Sequence, residues 1–376
     1  MPKRANDEGS IWRRKDGRWS GAYFVPKPGG GRQRKYVYGR SRDEVNRKLV
    51  ELMAQVHRGV PVATTTDTVS TYLEQWLTEV VKQRLRPKTY EGYANNVRKH
   101  IVPRIGRKKL HRLAARDVRL MLDDLRASGL SQRSVRYVHA TLRTALEHAV
   151  REEVLARNVA RLVRVAMPER HEQRALTVDE AKRLLKTSRD DRLFAAYVLT
   201  LVLGLRRGET LGLRWTDVDF DRQVLHVRQN LQRVDRQLQL LPPKTPRSRR
   251  AVPLPPICVQ ALLDHQRQQA GERPEAREYW HDTGLVFATT IGTPIDPRNF
   301  TRLFHEMCAS AGVPPIRLHD LRHTCVSLLL ALGVHPRVVM EIVGHAALEM
   351  TMNVYGHVVL DAQREALTQL NDLLDE

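Results

Sequence analysis

RLHDLRHTCVSLLL, residues 317–330, sets His319, Arg322 and His323 on one turn and follows them at once with the apolar Val326, Leu328, Leu329 and Leu330. The apolar half reads as buried helix, so the cationic half has to be explained. Cationic side chains are rarely buried without a partner, and Asp320 is the only acid in the stretch. Either this turn is a solvated helix end, or its partner is an anion that arrives from outside the chain.

The composition points to a large anion. Lys and Arg number 63 against 42 Asp and Glu, a formal charge of +21 with a pI near 10.4. Unbalanced positive charge costs self-repulsion unless a polyanion offsets it. Nucleic acid is the first candidate and an anionic membrane surface the second. The cations are spread along the whole chain, as in a protein that wraps its partner. With 376 residues, 41% of them hydrophobic, the chain suggests two or three domains with ordinary cores. No apolar run approaches the ~18 residues of a membrane span, and MPKRANDEGS lacks the apolar core of a signal peptide. Cys258, Cys308 and Cys325 form neither a disulfide framework nor a zinc spacing. These features predict a cytoplasmic protein.

Residues 9–40 alternate like short strands, with Trp12, Trp19, Tyr23, Tyr36 and Tyr38 among β-branched neighbours and the Gly-rich turn PKPGGGRQ between them. Ser41, with Glu44 three residues on, predicts a capped helix to about His57. This small basic module is either a surface sheet with solvated cations or a sheet face that meets DNA. Its lack of local acidic balance favours the second.

PVATTTDT (61–68) is a linker by composition. From Val69 to about Val165, four segments carry apolar residues every three or four positions, and they predict a compact helical bundle. Pro87 and Ser131 open two of these helices, and Gly106 and Gly129 close two. Arg86, Lys88, Arg98, Lys99, Arg104, Arg107, Lys108, Lys109, Arg133 and Arg136 stud the bundle. Singly these are solvated charges; together they suggest a surface that tracks phosphates. AMPERHEQR (166–174) is a second linker. Beyond it, Thr177 and Glu180 form a capping box, and RLFAAYVLTLVLG reads as a buried helix ended by Gly204. Residues 224–254 read as strands with turns. Helices follow near 256–270, 296–311, 319–331, 336–343 and 347–356. The expected fold is multidomain: a small β+α N-terminal domain (1–60), an all-α helical bundle (66–166) and a mainly helical α+β domain (172–376).

Four islands in the last domain could carry chemistry. In GLRRGETLGLRW (204–215), Arg206 and Glu209 share a face of a starting helix; the simple reading is a helix-start ion pair. In PPKTPRSRR (242–250), Lys244 sits between two strands, where a solvated turn is the default. In HDLRH, His319 and Arg322 are also three apart and can point at one object. In EIVGHAALEMTMNVYGH (341–357), His345 follows a helix-ending Gly and Tyr355 lies ten residues on; a lone tyrosine there is usually core or rim. As a set the islands say more. Arginine forks match the nonbridging oxygens of a phosphate. Phosphoryl transfer is catalysed mostly by positioning and charge stabilisation. A tyrosine hydroxyl among cations and a base becomes a nucleophile, and a lysine or histidine protonates the leaving oxygen. The anion missing from the turn at 317–330 is then a DNA phosphate, and the arginines supply the charge that a metal would otherwise bring.

In this order, GLRRGE, Lys244, HDLRHT, a Gly-His pair and a short helix ending in tyrosine resemble the boxes of the tyrosine recombinases, the phage integrase family. The resemblance covers residues 66–376 as core-binding and catalytic domains; residues 1–60 are similar, with less specificity, to arm-binding domains of integrases. It implies that Arg206 and Arg322 clamp the scissile phosphate and that His319 assists proton transfer. It further implies that Lys244 is the general acid to the 5′ oxygen, that His345 bonds a nonbridging oxygen, and that Tyr355 attacks to leave a 3′-phosphotyrosyl link. Glu209 would support the site. Arg206 is preferred over the adjacent Arg207 because the family's Gly-Leu-Arg word ends there. No cofactor is implied, neither ATP nor a metal. The implied partners are double-stranded DNA with core and arm attachment sites, a homotetramer on that DNA, an excisionase and a DNA-bending protein, all in a bacterial cytoplasm or nucleoid and not at a membrane. The last segment, DAQREALTQLNDLLDE, reads as an amphipathic helix that packs on its own domain or docks on a neighbouring protomer.

Other classes compete. A non-catalytic DNA-binding regulator explains the charge but not the ordered set. A type IB topoisomerase or telomere resolvase shares the chemistry, while the N-terminal module and the wording of the boxes favour an integrase. A zinc site could use His319 and His323, four apart on a helix, but neither a metalloprotease Glu nor a carboxylate cluster accompanies them. A membrane-surface protein would need a strongly apolar face beside its basic segments.

Overall fold

The computed structural model describes residues 9–26, 32–57, 67–167, 174–243 and 248–344. Lys244, His345 and Tyr355, and the helices expected over 347–356 and at the C-terminus, lie outside the described residues. By its contacts the chain divides into two units, residues 1–170 and 171–376.

In the first unit, β1 (Ser10–Arg13), β2 (Trp19–Pro26) and β3 (Arg32–Gly39) pair antiparallel in that order, with Ser20 opposite both Trp12 and Tyr38. Strand alternation sorts the side chains onto two faces. Tyr23 and Val25 turn inward against Leu49 and Leu52 of α1 (Arg42–His57). Trp12, Phe24, Tyr36 and Tyr38 remain exposed. Arg34 lies over three of these rings, 5.6 Å from Tyr36, 5.7 Å from Trp12 and 5.8 Å from Phe24. The helix starts as its sequence predicts: the Glu44 amide donates to the Ser41 hydroxyl (3.1 Å), and the Glu44 carboxylate accepts from the Arg40 amide (2.8 Å).

The helical part of this unit has four runs. α2 (Val69–Trp76) continues through a π-turn into α3 (Lys82–Arg84), and α4 (Pro87–Asn95) does the same into α5 (Val102–Ile105). α6 (Ala115–Ala127) and α7 (Gln132–Arg151) complete the bundle. Thr68 and Ser131 cap their helices through side-chain oxygens, and Pro87 occupies the first turn of α4, where its missing N–H costs nothing. The apolar stripes meet in one core that includes Leu73, Leu77, Val97, Ile101, Leu122 and Leu142, and Trp76 stacks on Tyr93. Not all of the surface cations face solvent alone. Glu91 engages Lys88, Glu74 takes both forks of Arg98, Asp124 holds Arg104 and Asp117 holds Lys108. The positive surface is therefore narrower than the sequence suggests.

In the second unit, Thr177 and Glu180 close the capping box of α8 (Val178–Thr187) at 3.2 and 2.9 Å. α9 (Phe194–Val202) is buried nearly all round, with Tyr197 stacked on Phe300. α10 (Arg207–Leu211) leads to a sheet of β4 (Val218–Asp219), β5 (Val224–Val227) and, beyond a hairpin, β8 (Arg250–Pro253). The hairpin is β6 (Asn230–Val234) with β7 (Gln237–Leu241). Its turn residues Asp235 and Arg236 both take positive φ, 46° and 64°, which matches the twist of a two-residue turn. α11 (Pro256–Ala276), α12 (Pro297–Ser310), α13 (Asp320–Ala331) and α14 (Pro336–Val343) follow. The apolar faces of α11 and α12, with Leu321 of α13, join α9 and the sheet in a core containing Leu225, Val252, Phe287 and Phe300, while α13 and α14 pack on each other through Val326, Leu330, Val339 and Val343. Among the described residues no helix is long and apolar enough to cross a membrane.

Candidate active site

The stretch 317–330 becomes the N-terminal turn and body of α13, with His319 as its N-cap. The acid in it is not the partner of Arg322. Asp320, 5% exposed, accepts from the Arg317 amide (2.8 Å) and from Arg317 Nε and Nη2 (3.1 and 2.7 Å). Arg322 points the other way and is 1% exposed; its Nη1 donates to the Gly204 carbonyl at the start of the GLRRGE turn. Burial, with Arg206 nearby, pushes its guanidinium down to about 9. A guanidinium has thus been carried into the interior.

Arg206 stands at the N-cap of α10 and reaches in three directions. Its amide and Nη1 donate to the two carboxylate oxygens of Glu209 (3.0 and 2.7 Å), and its Nη2 donates to the Gly344 carbonyl (2.9 Å). The face shared by positions 206 and 209 is therefore real, and the ion pair is buried on the acid's side: the Glu209 side chain is 4% exposed. Burial pushes the Glu209 carboxyl up, but Arg250 and Arg206 outweigh it and hold the group below the ordinary carboxylate range. Arg207 serves elsewhere, donating to the Thr301 hydroxyl (2.9 Å) and the Pro297 carbonyl of α12.

His319 keeps an exposed edge and packs against His323, ring centroids 5.0 Å apart and planes at 84°. Surrounding protein, then the neighbouring His323, Arg322 and Arg206, push its imidazole down to about 4, so it is neutral at physiological pH and able to accept a proton. His323 is buried, its pKa also lowered chiefly by burial, and neither ring nitrogen has a hydrogen-bond partner among the described residues. Among the described residues no group of three or more His, Cys, Asp or Glu is placed to hold a metal ion.

Arg206, Glu209, His319 and Arg322 are thus brought together at the end of α14, where Gly344 takes a left-handed conformation immediately before His345. Lys244 belongs to the connection between β7 and β8 and, with His345 and Tyr355, lies outside the described residues. The PPKTPRSRR island ends in a further group of the site. Arg250, the first residue of β8, has a side chain 7% exposed; its Nη2 donates to Glu209 (3.1 Å), its Nε to the Ile342 carbonyl (2.8 Å) and its Nη1 to the Ser248 carbonyl (3.3 Å). Its signal was the pair Arg249–Arg250 at the head of a strand, where alternation must send one of two adjacent arginines inward.

Residues 174–360 match the model of the phage integrase family, and residues 68–125 match that of the phage integrase N-terminal SAM-like domain. A tyrosine recombinase XerC-like protein of Caldanaerobacter subterraneus subsp. tengcongensis is 30% identical over 359 residues, covering 90% of this chain and 92% of that one. Among solved structures, a Tn1549 transposon integrase in complex with transposon right end DNA aligns with a TM-score of 0.70 at 21% identity, over 81% of this chain and 99% of that one. A lambda integrase tetramer bound to a Holliday junction aligns with a TM-score of 0.56 at 17% identity, over 94% and 96%. At these identities the structural likeness speaks for the fold.

Proposed function

Since this chain belongs to the phage integrase family and is a tyrosine-type site-specific recombinase, we propose that it breaks and rejoins DNA through a 3′-phosphotyrosyl intermediate on Tyr355, integrating or excising a mobile element. The observation that carries this reading is the convergence of Arg206, Arg322 and a neutral His319 beside the backbone that leads into His345 and Tyr355. Two guanidinium groups, the buried Arg322 and the partly exposed Arg206, fit a phosphate and its pentacovalent transition state.

In the proposed reaction Arg206 and Arg322 hold the nonbridging oxygens of the scissile phosphate. The Tyr355 hydroxyl attacks phosphorus while its proton passes to the neutral His319. The bond from phosphorus to the 5′ oxygen breaks, and Lys244 protonates that oxygen. His345 bonds a nonbridging oxygen. A 5′ hydroxyl from a second strand then reverses the step, so the energy of the bond is kept. Glu209 orients Arg206. Residues 1–60 act as an arm-type DNA-binding domain through the face around Arg34, residues 66–166 as the core-binding domain, and residues 172–376 as the catalytic domain. The working form is a homotetramer on double-stranded DNA in the cytoplasm or nucleoid of a bacterial host, with an excisionase and a DNA-bending protein as accessory partners.

The test is a nicked suicide substrate, built from the junctions of the element that carries the gene and incubated with the protein in EDTA. A covalent adduct on a denaturing gel, lost in Tyr355→Phe, is expected. DNA binding without an adduct would favour a non-catalytic regulator, and an adduct that survives Tyr355→Phe would mean another nucleophile.

A further inference from the structure

Glu209 is a buried carboxylate with two arginines on it, and the chemistry proposed above uses only one of them. Arg206 occupies Oε1, and the other oxygen is shared by the Arg206 amide and Arg250 Nη2. Arg250 meanwhile donates to Ile342, one of the last carbonyls of α14, and Arg206 donates to Gly344 two residues later. Carbonyls at a helix C-terminus lack intrahelical donors and lie at the negative end of the helix dipole. Two guanidinium groups joined by one carboxylate therefore hold a single helix end.

The fit leaves little slack. A Cβ added at Gly344, where φ is +68°, would stand 3.0 Å from Arg250 Nη1 and 3.2 Å from its Cδ and Cζ. The guanidinium lies flat against that glycine. Each of the three nitrogens of Arg250 has an acceptor on a different piece of chain: α10, the end of α14, and the segment entering β8. With 7% of its side chain exposed and every nitrogen engaged, Arg250 is not placed to bind the phosphate itself.

We propose that Arg250 is a positioning residue for phosphate capture: through Glu209 and the end of α14 it fixes the Arg206 guanidinium relative to the backbone that enters His345 and Tyr355. The inference rests on the function proposed above. A lysine cannot reproduce it, because one ammonium cannot direct three donors along a planar fork. Losing Arg250 leaves Glu209 buried with one guanidinium, and the competition between carboxylate and phosphate for Arg206 then tilts toward the carboxylate.

The experiment compares the full-length protein with Arg250→Lys, Arg250→Met and Arg206→Ala on two nicked suicide substrates. One carries an ordinary scissile phosphate and the other a methylphosphonate there, in which a methyl group replaces one charged oxygen. Cleavage by Arg250→Met on the phosphate should fall by about 100-fold, the scale of losing one preorganised donor. DNA affinity should stay within about threefold, because other phosphate contacts dominate binding. On the methylphosphonate, which has less charge for Arg206 to neutralise, the penalties for Arg250→Met and Arg206→Ala should shrink together. Arg250→Lys keeps the buried charge and should show the same substrate dependence, so it carries the test if Arg250→Met fails to fold. Equal penalties on the two substrates would mean that Arg250 only supports the fold and would overturn the proposal, as would variants that cleave at the wild-type rate. A wild type that forms no adduct on the phosphate substrate would instead overturn the recombinase chemistry, and this inference with it.

Discussion

Gly204 is the position where a single methyl group tests the geometry of the site most directly. It ends the buried helix α9, takes φ +60°, and offers its carbonyl to Arg322. An added Cβ would lie 2.8 Å from Val343 Cγ1, 3.3 Å from Cys325 Sγ and 3.5 Å from Arg322 Cγ. Two costs follow for Gly204→Ala. The left-handed conformation costs a residue with a Cβ roughly 1–2 kcal/mol. Overlap with Val343, which is fully buried, adds roughly 1–3 kcal/mol of overpacking. The sum, about 2–5 kcal/mol, is a large part of the roughly 5–15 kcal/mol by which a domain is stable. Gly312 supplies the control. Its φ is +59°, yet nothing lies within 4 Å of an added Cβ, so Gly312→Ala should cost only the backbone part. Urea unfolding of the two full-length variants should differ by about 1–3 kcal/mol at unchanged m-value. Cleavage by Gly204→Ala should also fall, because the displaced helix end takes Arg322 and Val343 with it. Equal destabilisation by the two substitutions would refute the close approach of α9 and α14. A Gly204→Ala protein with wild-type stability would refute both parts of the reasoning.

Three further outcomes are expected. Arg206→Ala and Arg322→Ala should each lower cleavage by about 100-fold or more with DNA binding within a few-fold; losing binding and cleavage in equal measure would remove them from the scissile phosphate. Burial lowers the imidazole pKa of His139, His265 and His323 below the ordinary 6.5, so between that value and their native ones the unfolded chain binds more protons. Stability is then complete above about pH 6.5 and lost as pH falls: the thermal midpoint should drop from pH 7.5 to 5.5, and His265→Gln should flatten that slope. Removing residues 1–60 should spare binding to core sites and weaken binding to distant arm sites, measured by gel shift, and undiminished arm binding would end the arm-domain reading.

Much of the fold was legible because its signals are local. Thr177 with Glu180, Ser41 with Glu44, and Ser131 announce helix starts through hydrogen bonds that span three residues, and those bonds are present; Pro87 announces one by lacking an N–H that the first turn does not need. GLRRGE and HDLRHT were legible for the same reason, since each places two groups on one turn. What the sequence hid is non-local. Asp320 is the one acid of the stretch, and only the folded helix start shows that Arg317, three residues back, takes it. Glu209 looked like the partner of Arg206 alone, whereas Arg250, 41 residues away, shares it. No period or spacing encodes a contact that depends on how β8 docks beside α10. In the bundle, too, pairing is non-local: some of its cations meet acids on neighbouring helices, as Arg98 meets Glu74.

The arrangement also links stability to binding. Within the described part of the site, Arg206, Arg250 and Arg322 face a single buried acid, Glu209. Burying positive charge in excess of negative opposes folding, and the lowered pKa of Arg322 is that opposition seen from the proton's side. Burial is the largest cause of that lowering, and a hydrophobic residue at 322 would relieve it. In the proposed reaction a DNA phosphate joins these groups, and because the unfolded chain has no such site, DNA should then stabilise this unit through mass action. On the proposed mechanism the turn at 317–330 is complementary to an anion carried by another molecule, and more so to the transition state than to the resting diester, since negative charge on the phosphoryl oxygens is closest to the guanidinium forks when the fifth bond to phosphorus has formed.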